Sequence, residues 1–395
     1  MDGISSKLAI FLLVMLVFSI GSSVDEPIFP RYTETFTTEP FFIGLLVSLG
    51  YFVYALFSEP AGQLCDRVGN RKVLLLGAAL HPIGSMIFFS ASGSIALYVI
   101  AGIIVGLGDA FFWAAARTVV AELSKRKHLG RAFGGYDAAW STGWSLGPLI
   151  GGFAAFTSGL LTIPFLVAAV LTAGAAFLMS FETKGLRKKG RLTLKAVHEE
   201  MASSRSITEA IGFFRKAGHN VKWLFTLLFI LNMFWGLLWA FTPLLFTAYN
   251  NLEIGALLFG NSLAFALGVL PAGELADRYG SRRLLTLGLF LAAVLTWFYV
   301  QTQVFVESMV IMLLIGMSMS VMLPSVDSIV YKVVGKKHHG ALSGFILTSA
   351  GFGYVAGPIA GGAIASFSTY SFALLFGAAI LAISSLYSLH ALRAR

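Results

Sequence analysis

Gly62-Gln63-Leu64-Cys65-Asp66-Arg67-Val68-Gly69-Asn70-Arg71-Lys72 recurs 211 residues later as Gly273-Glu274-Leu275-Ala276-Asp277-Arg278-Tyr279-Gly280-Ser281-Arg282-Arg283. Gly, Leu, Asp, Arg, Gly, Arg and a closing basic residue keep their places. A second stretch, Gly143-Trp144-Ser145-Leu146-Gly147-Pro148-Leu149-Ile150-Gly151-Gly152, recurs 210 residues later as Gly353-Tyr354-Val355-Ala356-Gly357-Pro358-Ile359-Ala360-Gly361-Gly362. Between the two, Lys127-His128-Leu129-Gly130 matches Lys337-His338-His339-Gly340 at the same offset. The chain is therefore a tandem repeat of one long unit.

The residues around these motifs say what the unit is made of. Of 395 residues, 57% are apolar and only 12% charged, about half the charge of a soluble domain. Mean hydropathy is +0.81, and 35 Phe leave a soluble fold nowhere to hide its apolar surface. Such a composition excludes disorder, and the single Cys65 excludes a disulfide framework or cysteine metal cluster. Apolar runs long enough to cross a bilayer fall near 8–33, 42–64, 73–91, 94–120, 131–157, 161–181, 222–247, 254–276, 284–302, 308–331, 341–366 and 370–391. They are unbroken rather than alternating, which predicts helices and not barrel strands. The first run is too long for a secretory signal and has no small-residue cleavage site before Asp25, so it is read as a helix.

Twelve spans put every second loop on the same side. With both termini in the cytoplasm, Arg67, Arg71, Lys72, Lys125, Arg126, Lys127 and Arg131 fall inside, and so do Arg278, Arg282, Arg283, Lys332, Lys336 and Lys337. Only Arg31 falls outside, so the positive-inside rule selects this orientation, in the plasma (cell inner) membrane. The net charge of +9 is topological, and no nucleic-acid partner is expected. The longest polar stretch, 182–220, opens with the basic run Lys184 to Arg191, suited to an anionic leaflet. Residues 194–216 are amphipathic enough for interfacial helices.

The repeated motifs resemble those of the major facilitator superfamily, along the whole chain. The first is similar to its loop signature after the second helix. The second is similar to the Gly-Pro motif in the fifth helix of the drug:proton antiporter branch. The resemblance implies an all-α membrane protein with twelve helices in two pseudo-twofold-related six-helix bundles. Residues 1–182 form the first bundle, 183–220 a cytoplasmic linker and 221–395 the second bundle. One departure stands out: where the branch often carries an Arg in helix four, this chain has Gly102, so that residue's relay role is not carried over.

Asp66 ends a helix beside Gly69, where its carboxylate can meet the positive end of a neighbouring helix. The resemblance implies a conformational latch here, comprising Gly62, Asp66, Arg67 and Arg71, with Glu122 completing the cluster. Gly273, Asp277, Arg278 and Arg282 form its copy. Gly143, Gly147 and Gly151 lay bare one face of span five, and Pro148 interrupts its hydrogen bonding; Gly353, Gly357, Pro358 and Gly361 do the same in span eleven.

Charges inside spans are functional candidates by default. Glu26, Asp109, Asp25 and His81 are the proton-coupling candidates, although a packed, hydrogen-bonded role also suits His81 beside Pro82. Glu59, Arg117, Asp137 and Asp327 are read as structural ion pairs. The superfamily lines its cavity with helices one, four, seven and ten. On these, Ser19, Ser22 and Glu26 form a stripe at i, i+3 and i+7, and Gly102, Gly106, Asp109 and Trp113 form another. Asn232, Trp235, Trp239 and Thr242 follow on helix seven, and Met312, Gly316, Met319 and Met322 on helix ten. Aromatic and Met surfaces suit varied apolar or cationic substrates.

These features predict a secondary active transporter working by alternating access. Its expected activity is proton-coupled export of hydrophobic or cationic small molecules. A lipid or lysolipid translocator, or a proton-coupled metabolite transporter, is the alternative on the same fold. No nucleophile motif or phosphate loop suggests an enzyme. No cofactor or metal is expected, with the proton gradient as energy source. Small-molecule substrate and membrane lipid are the expected partners of a monomer.

Overall fold

The computed structural model describes residues 6–124, 128–186, 190, 192–203, 218–334 and 339–391. Lys127, Lys337 and His338 of the third repeat match, and Arg187, Lys188, Lys189 and Arg191 of the basic run, lie outside these residues. The described residues are helical throughout, without a strand. In chain order the helices are α1 (Ser6–Gly21), α2 (Phe29–Glu34), α3 (Pro40–Val68), α4 (Asn70–Ser90), α5 (Ile95–Leu123), α6 (Leu129–Ser158) and α7 (Ile163–Glu182). They continue as α8 (Leu194–Ser203), α9 (His219–Leu245), α10 (Asn251–Tyr279), α11 (Ser281–Tyr299), α12 (Phe305–Val334), α13 (His339–Ser366) and α14 (Tyr370–Ala391). Among the described residues nine are long and apolar enough to cross a membrane, and α1 is a shorter apolar helix. The long helices α6 and α13 carry the repeated Gly-Pro motif.

The first span differs from expectation. Instead of one helix over 8–33, α1 ends at Gly21 and a turn leads to the short α2. Pro27 explains the break: it lacks an N–H and disfavours helical backbone at Glu26. Ser22 and Ser23 finish α1 by donating their hydroxyls to Ser19 O at 3.2 and 2.9 Å.

The helices pack into two compact units: Met1–Ile28 with Leu49–Arg205, and Phe29–Ser48 with Ser206–Arg395. The repeat can be read within each. In the first, Gly69 joins α3 to α4 at φ 98°; in the second, Gly280 joins α10 to α11 at φ 90°, a backbone region that favours Gly. In the first, the bare face of α6 lies on α1 and the turn after it, where a Cβ on Gly147 would come within 2.9 Å of Ile20 O and one on Gly151 within 1.6 Å of Val24 O. In the second, α13 lies on α9, where a Cβ on Gly353 would stand 2.3 Å from Phe229 O and one on Gly357 2.2 Å from Met233 O. The motif thus serves close helix packing in both copies.

The linker helix α8 also departs from expectation. Ala196 is buried and Val197 packs beside it, both joining the apolar core of the first unit rather than forming a free interfacial face. Arg67 holds this segment through Glu199 (2.6 Å) and Glu200 (3.3 Å), while the Gly190 amide donates to Arg67 O at 3.2 Å. Residues 204–217 of the predicted amphipathic stretch lie outside the described residues.

Candidate functional site

Glycines decide where the half-buried acids meet. α4 and α5 touch backbone to backbone: a Cβ on Gly77 would lie 2.4 Å from Phe112 N, and one on Gly108 2.8 Å from His81 N. This crossing sets His81 beside Asp109, with Nδ1 2.9 Å from Asp109 Oδ1. His81 is 1% exposed, whereas the Asp109 side chain keeps 23% exposure. Phe18 of α1 meets the imidazole edge-on at 5.4 Å and stacks on Phe112 at 3.5 Å.

The turn after α1 brings the other two acids to this point. Ser23 Oγ shares its one proton between Ser19 O and Gly143 O, the latter at 3.2 Å, tying the turn to α6. Glu26 accepts a hydrogen bond from the Tyr51 hydroxyl of α3. Asp25 and Asp109 both act electrostatically on Glu26, and Asp25 acts on His81. Three carboxylates and one imidazole, drawn from the α1 turn, α4 and α5, therefore form one cluster within the first unit. Tyr51 is absent from the expected site residues because it sits on a span outside the expected cavity lining. Among the described residues no group of three His, Cys, Asp or Glu side chains is arranged to hold a metal ion.

The other candidates are placed differently. Ser19 is fully buried and donates to Trp140 O at 2.9 Å, so it faces α6 and not a cavity. Ser22 turns back on its own helix. The helix-one stripe is lost because the chain leaves helical register before Glu26. Gly102 and Gly106 instead admit α3, with a Cβ on Gly106 2.4 Å from Gly50 O. Trp113 lies against Phe18, Phe112 and Tyr136 in an aromatic group next to the acids.

In the second unit, Asn232 donates to Leu228 O at 2.9 Å, Trp235 stands edge-on to Phe265 at 4.8 Å, and Trp239 is buried. Thr242 accepts from the Tyr299 hydroxyl at 3.4 Å. Met319 and Met322 are buried, and Met322 packs on Gly288 of α11, where the missing side chain leaves room for it. The Met322 part of that stripe is helix packing rather than a cavity wall.

The expected latch is also rearranged. Arg71 donates to Ser180 O at 3.0 Å and to Thr183 Oγ1 at 3.3 Å, at the end of α7. Its counterpart Arg282 donates to Ser388 O at 3.2 Å, at the end of α14. Each cation thus caps a helix C-terminus, where unpaired carbonyls and the dipole favour it. Asn70, not Arg71, meets Glu122, at 2.9 Å. Asp66 and Asp277 are exposed at the ends of α3 and α10, with Gly62 and Gly273 one turn before them, and Arg278 lies over its neighbour Tyr279.

Arg117 lies over the Phe133 ring at 5.6 Å and makes no ion pair among the described residues, although it acts electrostatically on Asp137. Both side chains are exposed, so neither charge needs a direct partner. Glu59 accepts from Gln63 at 2.9 Å. The side chain of Asp327 lies outside the described residues.

Comparison with known proteins agrees with this architecture. The family model described as Major Facilitator Superfamily matches residues 11–251 and 224–395. The chain is 24% identical over 369 residues to the Multidrug resistance protein 2 of Bacillus subtilis, covering 91% of this chain and 89% of that one. It is 26% identical over 370 residues to the class E Tetracycline resistance protein of Escherichia coli, covering 88% and 85%. Among solved structures, a bacterial homologue of the human lysosomal transporter Spinster superposes with a TM-score of 0.78 at 14% identity, covering 98% of this chain and 96% of that one.

Proposed function

Because the chain belongs to the Major Facilitator Superfamily, we propose that this membrane transporter exports hydrophobic or cationic small molecules in exchange for protons. The cluster of Asp25, Glu26 and Asp109 carries the reading. A buried carboxyl is neutralised either by a proton or by a cationic substrate, and competition between the two is antiport. Glu26 and Asp109 are the two carriers of that exchange, with Trp113 offering an aromatic face to a cation close by. The relatives named for multidrug and tetracycline resistance support the substrate class. Alternating access moves the site between the two sides, with both termini in the cytoplasm and the proton gradient as the sole energy source. The transporter works as a monomer in the cell's inner membrane.

Reconstituted protein tests this with tetraphenylphosphonium, a fluorescent lysolipid and an organic anion, each with and without an imposed pH gradient. Gradient-driven movement of the cation is expected, weakened in Glu26→Gln and in Asp109→Asn and lost in the double variant. Parental rates in the double variant would overturn the assignment of the carriers. Movement of the lysolipid or the anion alone would replace the substrate class.

A further inference from the structure

We propose that His81 is the positioning residue of Asp109, which makes α4 a working element of the site. This deepens the reading above and rests on it only for what Asp109 does in exchange. A neutral imidazole has a single N–H. Nδ1, 2.9 Å from Asp109 Oδ1, carries it toward the carboxylate. Nε2 is fully buried and has no partner among the described residues. A second ring proton would create a buried donor with no acceptor among the described residues, at the cost of an unsatisfied polar group. The ring therefore holds one proton, directed at Asp109.

The groups around the ring fit that role. Asp109 faces it from α5, Asp25 from the turn after α1, and the apolar Phe18 from α1 itself. Asp109 Oδ1 is taken by the imidazole, and Oδ2 makes no hydrogen bond among the described residues. One oxygen fixes the carboxylate while the other meets a proton or a cation. The Gly77–Gly108 crossing holds the pair in register, because any larger residue there would push α4 and α5 apart. Tyr51 does the corresponding work on Glu26, so Glu26 and Asp109 each have a donor from a different helix.

The test needs no substrate. Melting of the purified full chain is measured for His81→Leu, His81→Asn, Asp109→Asn and the His81→Leu/Asp109→Asn pair. His81→Leu is expected to lower the melting temperature by stranding the carboxylate. The double variant is expected to recover most of that loss, since both partners are then neutral. His81→Asn, whose amide N–H stands where Nδ1–H stood, is expected to melt like the parent.

Carbodiimide labelling of Asp109, read by mass spectrometry, is expected to run about tenfold faster in His81→Leu than in the parent, and at the parental rate in His81→Asn. A double variant that melts no better than His81→Leu, or equal labelling in His81→Leu and the parent, would reduce His81 to packing and overturn the proposal. Should His81→Leu fail to accumulate, accumulation of the double variant decides alone: recovery supports the pairing and failure overturns it. Neither assay reads transport, so an error in the proposed substrate leaves this result standing.

Discussion

Arg31 Nη1 donates to Asn251 Oδ1 at 2.8 Å, across 220 residues of sequence. The same guanidinium donates from Nε to Pro243 O at 2.9 Å and from Nη2 to Phe246 O and Tyr249 O at 2.8 and 2.9 Å. Pro243 O belongs to the last turn of α9, and Phe246 O and Tyr249 O to the turn that follows it, where carbonyls lack intrahelical donors and a cation suits the negative end of the dipole. A Lys has one compact head and cannot reproduce the fork. Arg31→Lys is expected to cost about 2 kcal/mol or more, read as a melting temperature lower by roughly 4–8 °C. Equal melting of the variant and the parent would show the network to be dispensable.

Glu34, three residues on, gives a pH dependence. Burial pushes its carboxyl above the ordinary Glu range, against the opposing pull of Arg31, and the Tyr370 hydroxyl bonds to it. A raised folded-state value means that the folded chain holds the proton more tightly than the unfolded one. Its stabilisation is complete below the unfolded value and is lost as pH rises through the folded value. Melting measured from pH 4 to 7 is expected to fall more steeply in the parent than in Glu34→Gln. Parallel curves would remove Glu34 from the account.

The glycine pattern separates close-packed helix positions from open ones. A Cβ on Gly151 would stand 1.6 Å from Val24 O, and one on Gly357 2.2 Å from Met233 O, while Gly62 and Gly273 have no atom within 4 Å of theirs. Gly151→Ala and Gly357→Ala force backbone apart and are expected to cost about 1–3 kcal/mol or more. Gly62→Ala and Gly273→Ala are expected to melt at or slightly above the parental temperature, since each removes backbone freedom from the unfolded chain. Detergent-solubilised melting of the four variants checks the contrast.

Arg71 and Arg282 are expected to act alike on different helices. Arg71→Ala should speed amide exchange in the last turn of α7 and leave α14 protected; Arg282→Ala should do the reverse. Hydrogen-exchange mass spectrometry on peptides covering 177–183 and 385–391 reads both. Glu122→Gln is expected to leave both peptides unchanged, because Asn70 and not Arg71 is its partner.

The repeat, the helical class and the close-packed Gly faces are all determined by the sequence. Apolar run length, loop Gly and bare helix faces are local properties that survive without knowledge of any partner. Asp25, Glu26, His81 and Asp109 were legible as candidates for the same reason: charge in an apolar run stands out wherever it ends up. Which groups they meet was decided only by tertiary structure. Pro27 takes Glu26 out of helical register and delivers it to Tyr51, a residue no periodicity links to it. The Gly77–Gly108 crossing puts His81 on Asp109, and α7 claims Arg71 before Glu122 can. Side chains reach only a few ångströms, so such pairings depend on crossing points between helices distant in sequence. A pattern along one helix carries no information about where another will cross it.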